Sequence, residues 1–118
     1  MAETLLLEYH VRAWEKYLKL YPSLRNLTIP EIKFNNRTYR CAGQNYPTLN
    51  KIEISRKLFE QHKDTILHIT VPHEIAHQVD YNLHGMPPNK RRHHKLWKDI
   101  MVKYGLPPDI YHTMEYKK

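Results

Sequence analysis

The sequence predicts an α+β fold: a small three-stranded antiparallel sheet packed with an N-terminal helix, a central helix and a C-terminal helix. Three observations predict it. Apolar residues recur at helical spacing over residues 4–21. Three short β-rich segments follow between residues 27 and 55. Beyond Ser55 the pattern turns helical again, as far as Gly105. Strands grouped apart from helices in this way belong to the α+β class. A chain of 118 residues has room for one domain, expected to span residues 1–118.

The first helix presents Leu7, Val11, Trp14, Leu18 and Tyr21 on one face, and Pro22 ends it. In LTIPEIKF, at 27–34, Ile29, Ile32 and Phe34 form the apolar set of a first strand. Asn35-Asn36 signals a turn, and RTYRCA at 37–42 reads as the returning strand of a hairpin. Cys41 is expected there as a small, half-buried residue. Gly43 and Pro47 mark a loop, and KIEIS at 51–55 alternates as the third strand. Ser55 suits the N-cap of a short helix, RKLFEQH, and Asp64 that of the next. This next helix is expected to reach His84, with Gly85 as its C-cap. Pro72 interrupts the pattern, since proline removes a hydrogen bond and crowds the carbonyl one turn back. Either the helix kinks there or a new one begins with Pro72 in its first turn. Residues 73–84 are helical in both cases. The last helix is expected over about 89–104, capped by Asn89 and ended by Gly105 and Pro107-Pro108.

Composition narrows the function classes. A single cysteine excludes an internal disulfide and a four-cysteine zinc ribbon. No apolar run is long enough to span a membrane. The N-terminal apolar residues are broken by Glu8, His10 and Arg12, unlike the core of a signal peptide. A cytoplasmic location is the expectation. The net charge of +7 favours acidic partners such as nucleic acid. Nine histidines in a chain this short point to metal.

The chemistry is concentrated in residues 73–77, His-Glu-Ile-Ala-His. On a helix, positions i and i+4 share a face, so His73 and His77 can present two imidazoles to one ion. Glu74 is turned from His73 by about a hundred degrees. It can therefore act as general base on a water that zinc activates, without ligating the zinc. A catalytic zinc site uses three protein ligands, and the candidates for the third are Asp80, His84, His93 and His94. The metzincin spacing would place Gly and His where Asp80 and Leu83 stand, so that pattern fails. His84 suits the helix end, near exposed carbonyls. His93 shares the periodicity of Leu96, Trp97, Ile100, Met101 and Tyr104, the expected core face of the last helix. His94 falls on its flank, and His93 is the expected third ligand. Tyr81, His84 and His112 could stabilise an oxyanion, but ordinary packing or surface roles suit them better. Lys90, Arg91, Arg92, Lys95 and Lys98 are the candidate nucleic-acid contacts, with Arg37 and Arg40 as a second basic group.

HEIAH, then HHKLW and DIM, resembles the SprT-like metallopeptidases, the group that includes Spartan. There an HExxH helix is followed by a third histidine four residues before Trp or Phe, a spacing that His93 and Trp97 match. CAGQNYPTLNKIEISRKL upstream and KYGLPPDIYHTMEY downstream are similar to the flanking segments of the family. His94 stands where the family usually has glycine. The resemblance implies one catalytic zinc and a small sheet beside the zinc helices. It also implies proteolysis of DNA-associated or DNA-crosslinked proteins, here in a minimal form without a C-terminal zinc ribbon. The expected partners are a protein substrate and weakly held, non-specific DNA.

Overall fold

In the computed structural model, residues 1–85 and 95–107 are described. Helix α1 (Ala2–Leu20) leads through a 3-10 turn (Pro22–Asn26) to strand β1 (Glu31–Asn35). Strand β2 (Gly43–Tyr46), a short turn (Pro47–Leu49) and strand β3 (Lys51–Ser55) follow. Then come helix α2 (Arg56–Gln61), a single turn α3 (Lys63–Thr65), a π-helical stretch (Ile66–Thr70), α4 (Val71–His84) and α5 (Lys95–Tyr104). The class is α+β, as the residue pattern predicts.

The sheet is mixed, and this corrects the antiparallel expectation. Its order is β1-β3-β2, with β3 parallel to β1 and antiparallel to β2. The Asn35-Asn36 turn exists: the Asn35 Oδ1 accepts from the backbone N–H groups of Arg37 and Thr38. It does not fold the chain back on β1. Residues 37–42 instead cross the end of β3, where the Ser55 hydroxyl donates to the Thr38 carbonyl and the Ser55 N–H to Ala42. The second strand therefore begins at Gly43, opposite Ile54, on the far side of β3. Cys41 lies in this crossing and is exposed, not half-buried in a strand. The first strand is shorter than 27–34 suggests, since Ile29 and Pro30 precede it.

Helix α1 buries Leu6, His10, Ala13, Trp14 and Tyr17, whereas Leu7 is 53% exposed. Of the expected face Trp14 is buried and Val11, Leu18 and Tyr21 are half-buried, so the inward face overlaps the expected one but is centred towards Leu6, Ala13 and Tyr17. His10 hides this face in the sequence. It is buried because one ring nitrogen, Nε2, donates to the Pro30 carbonyl at 2.7 Å. Ser55 caps α2 as expected, accepting from the Leu58 N–H at 3.1 Å. Asp64 does not cap. It sits within the single turn α3, whose N-cap position is His62.

Pro72 produces no break. Thr65, Ile66, Thr70 and Val71 all keep right-handed helical backbone angles, and Pro72 lies in the first turn of α4. The wider winding over Ile66–Thr70 moves the preceding carbonyls off the α ladder, which relieves the crowding a proline ring would meet. The Pro72 carbonyl accepts from the buried Tyr17 hydroxyl at 3.0 Å, tying α1 to the start of α4. Gly85 ends α4 at a positive φ of 76°, as expected for a C-cap. Buried residues of α1, β3, α4 and α5 join in one apolar cluster, with Ile52, Ile54, Ile75, Val79, Trp97 and Met101 at its centre.

Candidate metal centre

Helix α4 has a buried side chain at almost every turn because α1, β2 and α5 all pack against it. His73 and Glu74 lie at its buried N-terminal end, 2% and 4% exposed, and His77 is half-buried one turn on. The imidazole rings of His73 and His77 are 5.0 Å apart at centroid. The Glu74 Oε2 is 3.7 Å from the His73 Nε2. One ligand atom from each of the three residues falls within 4.8 Å of the other two. Two imidazole nitrogens gathered this closely, with a carboxylate beside them, could hold a metal ion.

Helix α5 closes the other side through Trp97. Its indole stacks on His77 at 4.9 Å with an interplanar angle of 14°, and meets His73 edge-on at 4.9 Å. The expected core face of α5 is present in Trp97, Ile100 and Met101, all buried, and in half-buried Tyr104. Leu96 departs from it at 42% exposure. Lys95 and Lys98 are exposed on the opposite side. His93, His94, His112, Lys90, Arg91 and Arg92 lie outside the described residues.

Two other candidate ligands are engaged with each other. The His84 Nδ1 donates to the Asp80 carboxylate at 2.8 Å, near the far end of α4. Neither belongs to the group that gathers at His73, Glu74 and His77. Tyr81 is half-buried on the same helix.

Sequence reading missed how strand β2 is held against the site. Gly43 and Asn45, two residues apart on one face of β2, both meet α4. A Cβ placed on Gly43 would lie 2.9 Å from the Glu74 Cγ. The Asn45 side-chain amide donates to the Gln78 Oε1 at 2.8 Å, and the Gln78 Nε2 donates to the Pro47 carbonyl and to Asn82 Oδ1. Asn45 and Gln78 are both buried. Two buried amides, one facing a motif helix and one in a short polar strand, give no periodic signal. The available clue was Gln78 itself, a polar residue at a position flanked by core residues.

The fold and the site together define a protein whose central helix carries a histidine–carboxylate group able to hold a metal ion. Comparison with known proteins identifies the family. The SprT-like family model matches residues 8–112, and the chain belongs to that family. It is 34% identical over 92 residues to Protein SprT of Vibrio parahaemolyticus, covering 77% of this chain and 53% of that protein. It is 34% identical over 95 residues to Protein SprT of Pseudomonas aeruginosa, covering 80% of this chain and 56% of that one. With Protein SprT of Actinobacillus succinogenes the identity is 30% over 94 residues. The chain thus spans about half the length of the curated relatives it matches. No solved structure matches it significantly. No helix among the described residues is long and apolar enough to cross a membrane.

Proposed function

We propose that the chain is a zinc-dependent metalloendopeptidase of the HExxH type. The observation that carries this reading is the convergence of His73, Glu74 and His77 at the buried end of α4. His73 and His77, with His93 as third ligand, would hold the zinc. Bound zinc supplies Lewis acidity, lowering the pKa of a water toward neutrality and polarising the scissile carbonyl. Glu74 takes the proton of the attacking water and delivers it to the leaving amine. Its low exposure favours this role, because a carboxylate shielded from bulk solvent keeps its proton traffic within the site. Trp97 orients both imidazoles, stacking on the face of His77 and meeting His73 edge-on, which restricts the rotamers available to the ligands.

A purely structural zinc site would close with a fourth ligand and would need no base. Glu74, beside the histidines, favours the peptidase over a non-catalytic zinc-stabilised binding module. The substrate class we propose is DNA-associated or DNA-crosslinked protein, supported by family membership and the net charge of +7. The contact surface would be Lys90, Arg91, Arg92, Lys95 and Lys98.

One experiment tests the reading. Zinc content and casein cleavage are measured with and without single- and double-stranded DNA, for wild type, Glu74→Gln, His93→Ala and His94→Ala. Glu74→Gln should keep zinc and lose activity by about 10²-fold or more, the scale of a general base. His93→Ala should lose the metal and His94→Ala should keep it. Undiminished turnover in Glu74→Gln would remove that residue from the mechanism. An inactive, zinc-loaded wild type would favour the binding module.

A further inference from the structure

Gly43 lies in an extended strand, and its φ is not among the positive values that call for glycine. An alanine here should ordinarily stabilise the chain, since it narrows the unfolded ensemble without backbone strain. What glycine provides at this position is space. A Cβ would meet three atoms at once: the Glu74 Cγ at 2.9 Å, the Thr70 Cγ2 at 3.0 Å and the Ile54 Cδ1 at 3.1 Å. Contacts this short require a neighbour to move.

The surroundings decide which neighbour moves. Thr70 is β-branched, fully buried and on the helical stretch one turn before Glu74, so its methyl has little freedom. Ile54 is fully buried on the central strand, directly opposite Gly43 in the ladder. Strand β2 cannot back away easily, because Asn45 is bonded to Gln78 and the turn after it is held by the Gln78–Pro47 bond. Glu74 remains. Its side chain is unbranched, and its carboxylate points on towards His73.

We propose that Gly43 is a positioning residue for Glu74. The bare backbone of β2 is the surface against which the Glu74 side chain rests, and the Asn45–Gln78 bond holds that surface at a constant height above α4. The catalytic consequence rests on the role proposed above for Glu74. The contact itself does not, and the two can be tested apart.

Apoprotein melting tests the contact. Gly43→Ala should lower Tm in the wild-type background. In the Glu74→Ala background, where the obstructing Cγ is gone, the same substitution should cost distinctly less. A cost of equal size in both backgrounds would overturn the proposal, because the added methyl would then press elsewhere. Should Gly43→Ala alone fail to fold, the double variant Gly43→Ala/Glu74→Ala is expected to fold, and its failure would likewise overturn the contact. Steady-state kinetics test the consequence. Gly43→Ala should retain one zinc per chain, keep KM within about twofold and lose about tenfold or more in kcat, as expected when a proton-transfer group is displaced. Gln78→Ala, which releases β2, should restore part of that kcat when combined with Gly43→Ala. Wild-type kcat in zinc-loaded Gly43→Ala would overturn the positioning role. If wild type itself shows no turnover, the peptidase reading fails, while the melting cycle still decides the contact.

Discussion

At the scale of single residues, His10 shows how a polar side chain can sit inside a helix face that the sequence does not reveal. Burial holds its pKa below the usual histidine value, and the hydrogen bond to the Pro30 carbonyl offsets this only in part. The folded protein therefore resists protonation that the unfolded chain accepts at its ordinary pKa of about 6.5. In that window the unfolded state binds more protons, so stability rises with pH. The contribution is complete above about pH 6.5 and is lost progressively as pH falls through that value towards the depressed folded pKa. The urea midpoint of wild type should fall between neutral pH and about pH 5, and His10→Gln should show a smaller fall, because Gln keeps a donor for Pro30 without a titratable ring. An equal fall in the variant would exclude His10 as the source. The residues that were legible are those whose chemistry repeats at helical spacing, His73 and His77, with Glu74 between them. Those that were not act by fit. Gly43 is defined by what lies opposite it, and Gln78 by partners on another element. Leu7 and Leu6 are equally apolar, and only tertiary packing decides which of them faces inward.

At the scale of elements, the helices were read better than the sheet. Helical periodicity is local, and the end signals at Ser55, Gly85 and Gly105 are genuine in the structure. The order β1-β3-β2 depends on a crossing whose cause lies 17 residues away, in the hydrogen bond from Ser55 to Thr38. No local turn rule contains that information, and a turn after β1 reads as a hairpin by default. Ser55 thus performs two tasks with one hydroxyl. It accepts from the Leu58 N–H to cap α2, and it donates to the Thr38 carbonyl to hold the crossing. Ser55→Ala should destabilise the fold by about 2 kcal/mol, the upper end for loss of an N-cap, since a second bond from a buried residue is lost with it. Urea denaturation measures this directly. A cost below about 0.5 kcal/mol, as for an ordinary exposed cap, would mean that the crossing is held by other contacts. The π stretch before α4 was likewise unreadable. Its β-branched residues weaken a helix prediction, and Pro72 allows either a kink or a new helix with Pro72 in its first turn, of which the second is what α4 shows. The structure keeps the helix by changing its winding.

At the scale of the whole molecule, the charge excess of +7 and the placement of α5 bear on how a nucleic acid would meet the site. Trp97, Ile100 and Met101 face the core, with Trp97 against the two imidazoles, whereas Lys95 and Lys98 face solvent. DNA held by that outer side would run behind the helix and leave the site open to a protein chain. Such an enzyme would use DNA to gather its protein substrates. The charge attracts any phosphate backbone alike, so binding should be weak, indifferent to sequence and steeply dependent on salt. Each phosphate contact contributes about 0.9 to the slope of log affinity against log salt on duplex DNA. Replacing Arg91, Arg92, Lys95 and Lys98 together by Ser should therefore reduce both affinity and salt slope, while zinc content and cleavage of a short peptide stay as in wild type. Fluorescence anisotropy over a salt series, run alongside peptide cleavage, checks both halves. Affinity and slope unchanged in the quadruple variant would move the DNA surface elsewhere, with Arg37 and Arg40 in the exposed crossing between β1 and β2 as the next residues to replace. No binding by wild type at low salt would remove DNA from the proposed function and leave the peptidase to be judged on Glu74 alone.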